Sequence, residues 1–120
     1  MADHNELGKK GEELAFHYLV KKGYKILAKN WRFKRNEIDI IAEYNNTLII
    51  VEVKTRASRF LAGPEETVTK SKQKTIIKVA DAYIQDYEID IDTRFDIISI
   101  ILNSKETDIE HLVDAFYPGL

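Results

Sequence analysis

The chain has no cysteine, no long apolar run and almost no net charge, and each shortage excludes something. Without cysteine there is no disulfide framework and no thiolate metal site. No apolar stretch approaches the ~20 residues of a membrane span. The first ten residues, Met1 to Lys10, are polar and lack the apolar core of a secretory signal. Repeats, low-complexity tracts and linkers are also missing. The expectation is a small cytoplasmic protein with no membrane partner. At 120 residues, a single domain spanning 1–120 is the default. A hydrophobic fraction of 44% is enough to build a core.

A net charge of −2 argues at first sight against a nucleic-acid partner. The average conceals a division. Residues 1–80 hold sixteen Lys and Arg against ten Asp and Glu, a net +6, whereas residues 81–120 hold two against ten, a net −8. The basic residues cluster as Lys21, Lys22, Lys25, Lys29, Arg32, Lys34 and Arg35, then Lys54, Arg56 and Arg59, then Lys70, Lys72, Lys74 and Lys78. A chain divided this way can carry a positive face without net positive charge, although charge runs are more often plain solvated surface.

Hydrophobic spacing predicts the order α-β-β-β-α-β-β. Glu6 to Lys22 is a helix that stops at Gly23, with Leu7, Leu14, Ala15, Phe16, Tyr18, Leu19 and Val20 on its apolar side. Strands follow at Tyr24–Phe33, Glu37–Tyr44 and Thr47–Lys54. Asn45-Asn46 makes a two-residue hairpin turn, because Asn tolerates positive φ. After a loop with Gly63 and Pro64 comes a helix from Lys72 to Tyr87, capped by Thr69 or Ser71. Its stripe is Ile76, Ile77, Ala80, Tyr83, Ile84 and Tyr87. Arg94–Leu102 is strongly β, and Asp108–Phe116 contains a shorter last strand. The fold class is α/β, a mixed sheet with helices packed on it.

The hairpin carries the chemistry. Its register places Asp39 opposite Glu52 and Glu37 opposite Lys54, with all four side chains on one face. The other face carries Ile38, Ile40 and Ala42 against Val53, Val51 and Ile49. Like charges directly opposite destabilise a hairpin, so something must compensate: a divalent cation between the carboxylates, or Lys54 beside them. Glu52 also sits in an otherwise apolar run, Leu48 to Val53, that reads as a central strand. Buried Glu and Lys are rare unless paired or functional. The bland alternative is an ion pair of Lys54 with Glu52 or Glu37. In the first helix, Glu12 falls between Leu19 and Phe16 on the apolar arc while Glu13 points away, so Glu12 can reach the same region; a helix-rim Glu meeting water is the bland alternative. Gln73 similarly begins the apolar stripe of the second helix, or is simply a first-turn residue. Oxygen ligands select hard cations such as Mg²⁺ or Mn²⁺. A lysine on the same strand face can orient an attacking water or neutralise a transition state, which together suits phosphodiester hydrolysis.

Gly11-Glu12, Glu37-Ile38-Asp39-Ile40-Ile41-Ala42, Val51-Glu52-Val53-Lys54-Thr55-Arg56 and Lys72-Gln73 together resemble the YraN-like family of small bacterial proteins. That family is related to archaeal Holliday-junction resolvases within the PD-(D/E)XK restriction-endonuclease-like superfamily. The resemblance runs from about Leu7 to Phe116 and implies an αβββαβ core. It implies that Asp39, Glu52 and the carbonyl of Val53 hold metal, that Glu12 completes the metal site and that Lys54 is the catalytic lysine. Arg56, Lys72 and Gln73 are implied as substrate contacts. Asn36 stands where the family often has Gly, and Ile38-Asp39 stands for the superfamily's Pro-Asp. The implied activity is a Mg²⁺- or Mn²⁺-dependent endonuclease on DNA, including branched, Holliday-junction-like DNA, and resolvase relatives make a homodimer an expectation. Two readings compete with it: a nucleic-acid-binding module with decayed chemistry, which would be expected to lose Lys54 or one acid, and a structural protein in which Glu37, Asp39, Glu52 and Lys54 form a buried ion-pair network.

Overall fold

The computed structural model describes residues 2–58 and 68–118. Met1, Arg59, Gly63 and Pro64, named above, lie outside the described residues. The elements are α1 (Ala2–Lys21), β1 (Lys25–Phe33), β2 (Asn36–Tyr44), β3 (Thr47–Arg56), α2 (Lys70–Asp86), β4 (Asp92–Leu102) and β5 (Thr107–Phe116). The expected order holds, and the last strand is longer than expected.

Local chemistry sets the boundaries. α1 ends because Gly23 adopts φ 97°, a conformation that suits glycine. The Tyr24 N–H then reaches back to the Leu19 carbonyl at 2.9 Å and the Gly23 N–H to Val20 at 3.0 Å, which satisfies two carbonyls at the helix end. Asn45 and Asn46 both take positive φ, 51° and 60°, as a tight hairpin turn requires. Thr69 caps α2, its hydroxyl accepting the Lys72 N–H at 3.1 Å. The sheet runs in the order β1-β2-β3-β4-β5. Only β3 and β4 are parallel, and α2 makes the crossover that a parallel pair needs. The result is a mixed five-stranded sheet flanked by two helices, compatible with a restriction-endonuclease-like core.

Each helix covers one side of the sheet. Ala15 and Leu19 of α1 pack with Ile40, Ala42, Ile49, Val51, Ile98 and Ile100. Ile76, Val79, Ala80 and Tyr83 of α2 pack with Ile38, Ile41, Leu48, Ile50, Phe95 and Ile97. The central strands are therefore apolar on both faces. Two residues of the expected helical stripes are exposed: Val20 is 48% exposed and Tyr87 57% exposed. Val20 follows Leu19 round the helix toward solvent, and Tyr87 is the C-cap of α2 rather than part of it.

The two clusters reveal a break in β2. Ile38 packs under α2, although Ile40 and Ala42 pack under α1. Strict alternation would put all three on one side. The expected common face of Ile38, Ile40 and Ala42 is thus corrected: the strand slips at Asp39. The hairpin register follows the expectation from Tyr44↔Thr47 to Ile40↔Val51 and pairs no residues beyond that.

A second polar assembly joins α1 to β4 and β5. Asp96 is fully buried on β4. It accepts bonds from Arg94 (2.9 and 2.8 Å) and from the Asp114 N–H (2.9 Å), and it meets His111 Nε2 at 2.7 Å. His111 Nδ1 lies 3.1 Å from the Tyr18 hydroxyl, and Arg94 donates to the Tyr24 hydroxyl at 2.8 Å. Burial alone would raise the Asp96 carboxyl, but the bonds from His111 and Arg94 outweigh it and hold the group below its usual range. Every side chain here is partnered, so the assembly fixes α1 against the sheet.

Candidate active site

The break in β2 creates the site. The continued register would place Val53 opposite Ile38; instead the Val53 N–H donates to Asp39 Oδ2 at 2.7 Å. A carboxylate has replaced a strand partner, and the backbone donor remains satisfied. Asp39 is only 9% exposed, yet it lines a cleft together with Glu12, Glu52, Val53, Lys54, Val68, Thr69 and Lys72. Four elements supply that cleft: α1, β2, β3 and the start of α2.

The expected carboxylates converge. Burial, and then the charge of Glu52, push the Asp39 carboxyl up to about 8, against the pull of the Val53 N–H. Burial also pushes Glu52 up, while Lys72 opposes it. The Glu52 side chain is 12% exposed, and its Oε2 lies 3.7 Å from Lys72 Nζ. Its Oε1 is buried with no hydrogen-bond donor among the described residues. Leaving such an oxygen unsatisfied is costly. A proton shared with Asp39 or a cation in the cleft would satisfy it.

Glu12 arrives by a close helix–strand contact. Gly11 is buried against Thr55 of β3, and a Cβ at Gly11 would lie 2.7 Å from Thr55 Cβ and 2.8 Å from Thr55 Cγ2. Only glycine lets α1 approach this far, and the approach carries the next residue, Glu12, to the cleft. Glu12 is half-buried, and its charge acts on both Asp39 and Glu52. It is not bonded to them: Asn30 Nδ2 donates to Glu12 Oε1 at 3.0 Å. Among the described residues, no three His, Asp or Glu side chains are gathered as a ready metal cluster. The arrangement is a tight Asp39–Glu52 pair with Glu12 at its border.

The ion pairs of the bland alternative, Lys54 with Glu52 or with Glu37, do not form among the described residues. The cation beside Glu52 is Lys72, not Lys54. Glu37 pairs with Arg32 at 2.8 Å and accepts from Asn30 at 3.2 Å, so it joins neither Lys54 nor a four-residue network. The strand break accounts for this, because Glu37 lies beyond the last paired rung with β3. Lys54 is exposed and lines the cleft. Arg56 ends β3, half-buried. Gln73 turns its amide to the Val68 carbonyl at 3.2 Å, where it fixes the entry to α2.

The sequence reading did not single out Asn30, nor assign a role to Gly11. Gly11 left a signal, since glycine inside a helix costs about 1 kcal/mol relative to alanine and usually has a packing reason. Asn30 left almost none. A second cavity continues from the first, sharing Glu12 and Asp39 and adding Lys9, Glu13, Lys29, Asn30 and Ile40. Among the described residues, both cavities draw on the basic part of the chain, and none of their lining residues comes from the acidic stretch after residue 80.

A divalent cation fits the residues present. Two carboxyls whose charges oppose each other, one with an unsatisfied buried oxygen, would both be stabilised by it. Asp39 and Glu52 would hold it, with Glu12 and the Val53 carbonyl as further oxygen donors.

The sequence has many relatives. A protein of Phocaeicola vulgatus is 48% identical over 120 residues, covering 100% of this chain and 99% of its own length. One from Flavobacterium johnsoniae is 50% identical over 121 residues, covering 98% of each. One from Porphyromonas gingivalis is 45% identical over 118 residues, covering 97% of this chain and 87% of its own length. All three carry the name UPF0102 protein. The model of the uncharacterised protein family UPF0102 matches residues 11–100, from the glycine that admits α1 almost to the end of β4. The chain belongs to UPF0102, the YraN-like family.

Proposed function

We propose that this protein is a Mg²⁺- or Mn²⁺-dependent nuclease that hydrolyses phosphodiester bonds in DNA, with branched DNA as the substrate to test first. The observation that carries the reading is the Asp39–Glu52 pair. Two carboxyls are buried in an apolar sheet, both raised by burial and Asp39 further by the charge of Glu52, and turned into a cleft with Lys54 and Lys72. Such a pair destabilises the metal-free fold and is readily understood as a binding site. The restriction-endonuclease-like relation argued from the motifs adds to it.

Asp39 and Glu52 act as ionised ligands, oriented by the Val53 N–H and by burial. A bound divalent ion supplies Lewis-acid stabilisation of negative charge on phosphate and lowers the pKa of a coordinated water. Lys54, exposed at the cleft wall, orients the attacking water and neutralises developing charge. Lys72 moves from Glu52 to a substrate phosphate once the carboxylate is otherwise compensated. The lysines on both sides of the carboxylates attract the anionic backbone. A homodimer would offer one site to each of two strands.

The purified protein is incubated with branched, single-stranded and duplex DNA in Mg²⁺, Mn²⁺ or EDTA. Cleavage that needs metal and is lost in Glu52→Ala and Lys54→Ala is expected. No metal-dependent cleavage, or variants that cut like the wild type, would sink the enzyme reading. Salt-sensitive DNA binding that persists in EDTA without cleavage would leave the protein as a binding module.

A further inference from the structure

We infer that Asn30 is a positioning residue: its side-chain amide sets where Glu12 stands relative to the Asp39–Glu52 pair. The inference rests on the metal reading of that pair for its consequence, not for its geometry. Asn30 Nδ2 donates to two carboxylates from two elements, Glu12 Oε1 on α1 at 3.0 Å and Glu37 Oε2 on β2 at 3.2 Å. One NH₂ group has two hydrogens, and both are used. Glu37 is anchored at its other oxygen by Arg32 at 2.8 Å. The chain Arg32–Glu37–Asn30–Glu12 therefore has a fixed end on the sheet and a working end at the cleft. Without the amide, the two glutamates would face each other as like charges.

The backbone explains why this residue is Asn. Asn30 lies within β1 at φ 50°, a left-handed conformation that Asn tolerates better than other side chains. The rungs Lys29↔Ile40 and Trp31↔Ile38 put Asn30 level with Asp39, and that level is unpaired. The distortion that releases Asp39 from the ladder is thus the same one that turns Asn30 toward Glu12. Glu12 and Asp39 line both cavities, and Asn30 lines the second. A displaced Glu12 would change the field on Asp39 and Glu52 and remove an oxygen donor from the border of the site. Outer partners of metal ligands commonly alter metal affinity 10- to 100-fold when lost.

Asn30→Gly tests this, because glycine keeps the left-handed backbone and deletes only the amide. Mn²⁺ binding is measured by calorimetry in wild type, Asn30→Gly, Glu12→Gln and the double variant. We expect about ten-fold weaker Mn²⁺ binding in Asn30→Gly, and little further loss when it is added to Glu12→Gln. A change in melting temperature with Mn²⁺ binding intact, or losses that add in full, would overturn the positioning role. Side-chain NH₂ signals in the metal-free protein give an independent readout. The Asn30 pair should shift in Glu12→Gln; if it does not, the clamp is overturned. If it shifts in a protein that takes up no Mn²⁺, the clamp stands and the metal reading alone fails.

Discussion

Replacing Asp39 by Asn should stabilise the metal-free protein while abolishing its response to metal. In the fold the Asp39 carboxyl is raised from 3.8 to about 8. The folded state then holds a proton that the unfolded chain releases near pH 4, so wild-type stability falls as pH rises from about 4 to about 8. The full shift corresponds to an upper bound of roughly 6 kcal/mol. Proton sharing with Glu52 and local opening reduce it, and we expect about 2 kcal/mol to be visible at pH 8. For a chain this size that is a shift of roughly 5–10 °C in melting temperature. Asn is isosteric and neutral, and its carbonyl can still accept the Val53 N–H. Thermal melts of both proteins in EDTA at pH 5, 6, 7 and 8 provide the comparison. The variant's advantage should grow steadily with pH. Saturating Mn²⁺ should then raise the wild type, by about 2.7 kcal/mol at a hundred times the dissociation constant, and leave Asp39→Asn where it was. A variant less stable than the wild type at pH 8, or a gap that does not change with pH, would refute the account of a buried, mutually opposed pair.

Other outcomes follow from the same geometry. Gly11→Ala should cost at least about 2 kcal/mol by chemical denaturation, since α1 must retreat from β3, and Thr55→Gly in the same chain should recover part of it. Asp96→Ala leaves the half-buried Arg94 without its carboxylate and should cost about 3 kcal/mol in a urea titration. Because the Asp96 carboxyl is lowered in the fold, its stabilising contribution is present above pH 4 and is lost as pH falls through the acid range; Asp96→Asn should flatten the acid limb of the stability curve. Lys72→Gln should tighten Mn²⁺ binding by removing a competing cation from Glu52, yet weaken DNA binding and lower its salt slope by about 1.

Much of the fold is legible in one dimension. The apolar spacing of Leu14, Ala15 and Leu19, the Asn45-Asn46 turn and the apolar run Leu48–Val53 are local patterns, and local patterns decide local structure. The hairpin register follows directly from the turn, which is why Asp39 and Glu52 could be brought together on paper. What failed was the assumption that register continues. Beyond Ile40↔Val51 the ladder stops, Ile38 crosses to the α2 side, and Glu37 leaves Lys54 for Arg32 and Asn30. No residue type in β2 announces that slip, because it results from Asp39 capturing the Val53 N–H and from Asn30 turning left-handed opposite it.

The absence of cysteine confines any metal site to oxygen and imidazole donors, and the near-zero net charge is the average of a basic stretch, residues 1–80, and an acidic remainder. The sequence alone determined which acids and lysines exist and which strands carry them. The tertiary structure decided that Lys72 rather than Lys54 faces Glu52, that Gly11 admits α1 to β3, and that Asn30 holds Glu12. Those choices depend on distances between elements far apart in the chain. Packing sets such distances, and no periodicity encodes them.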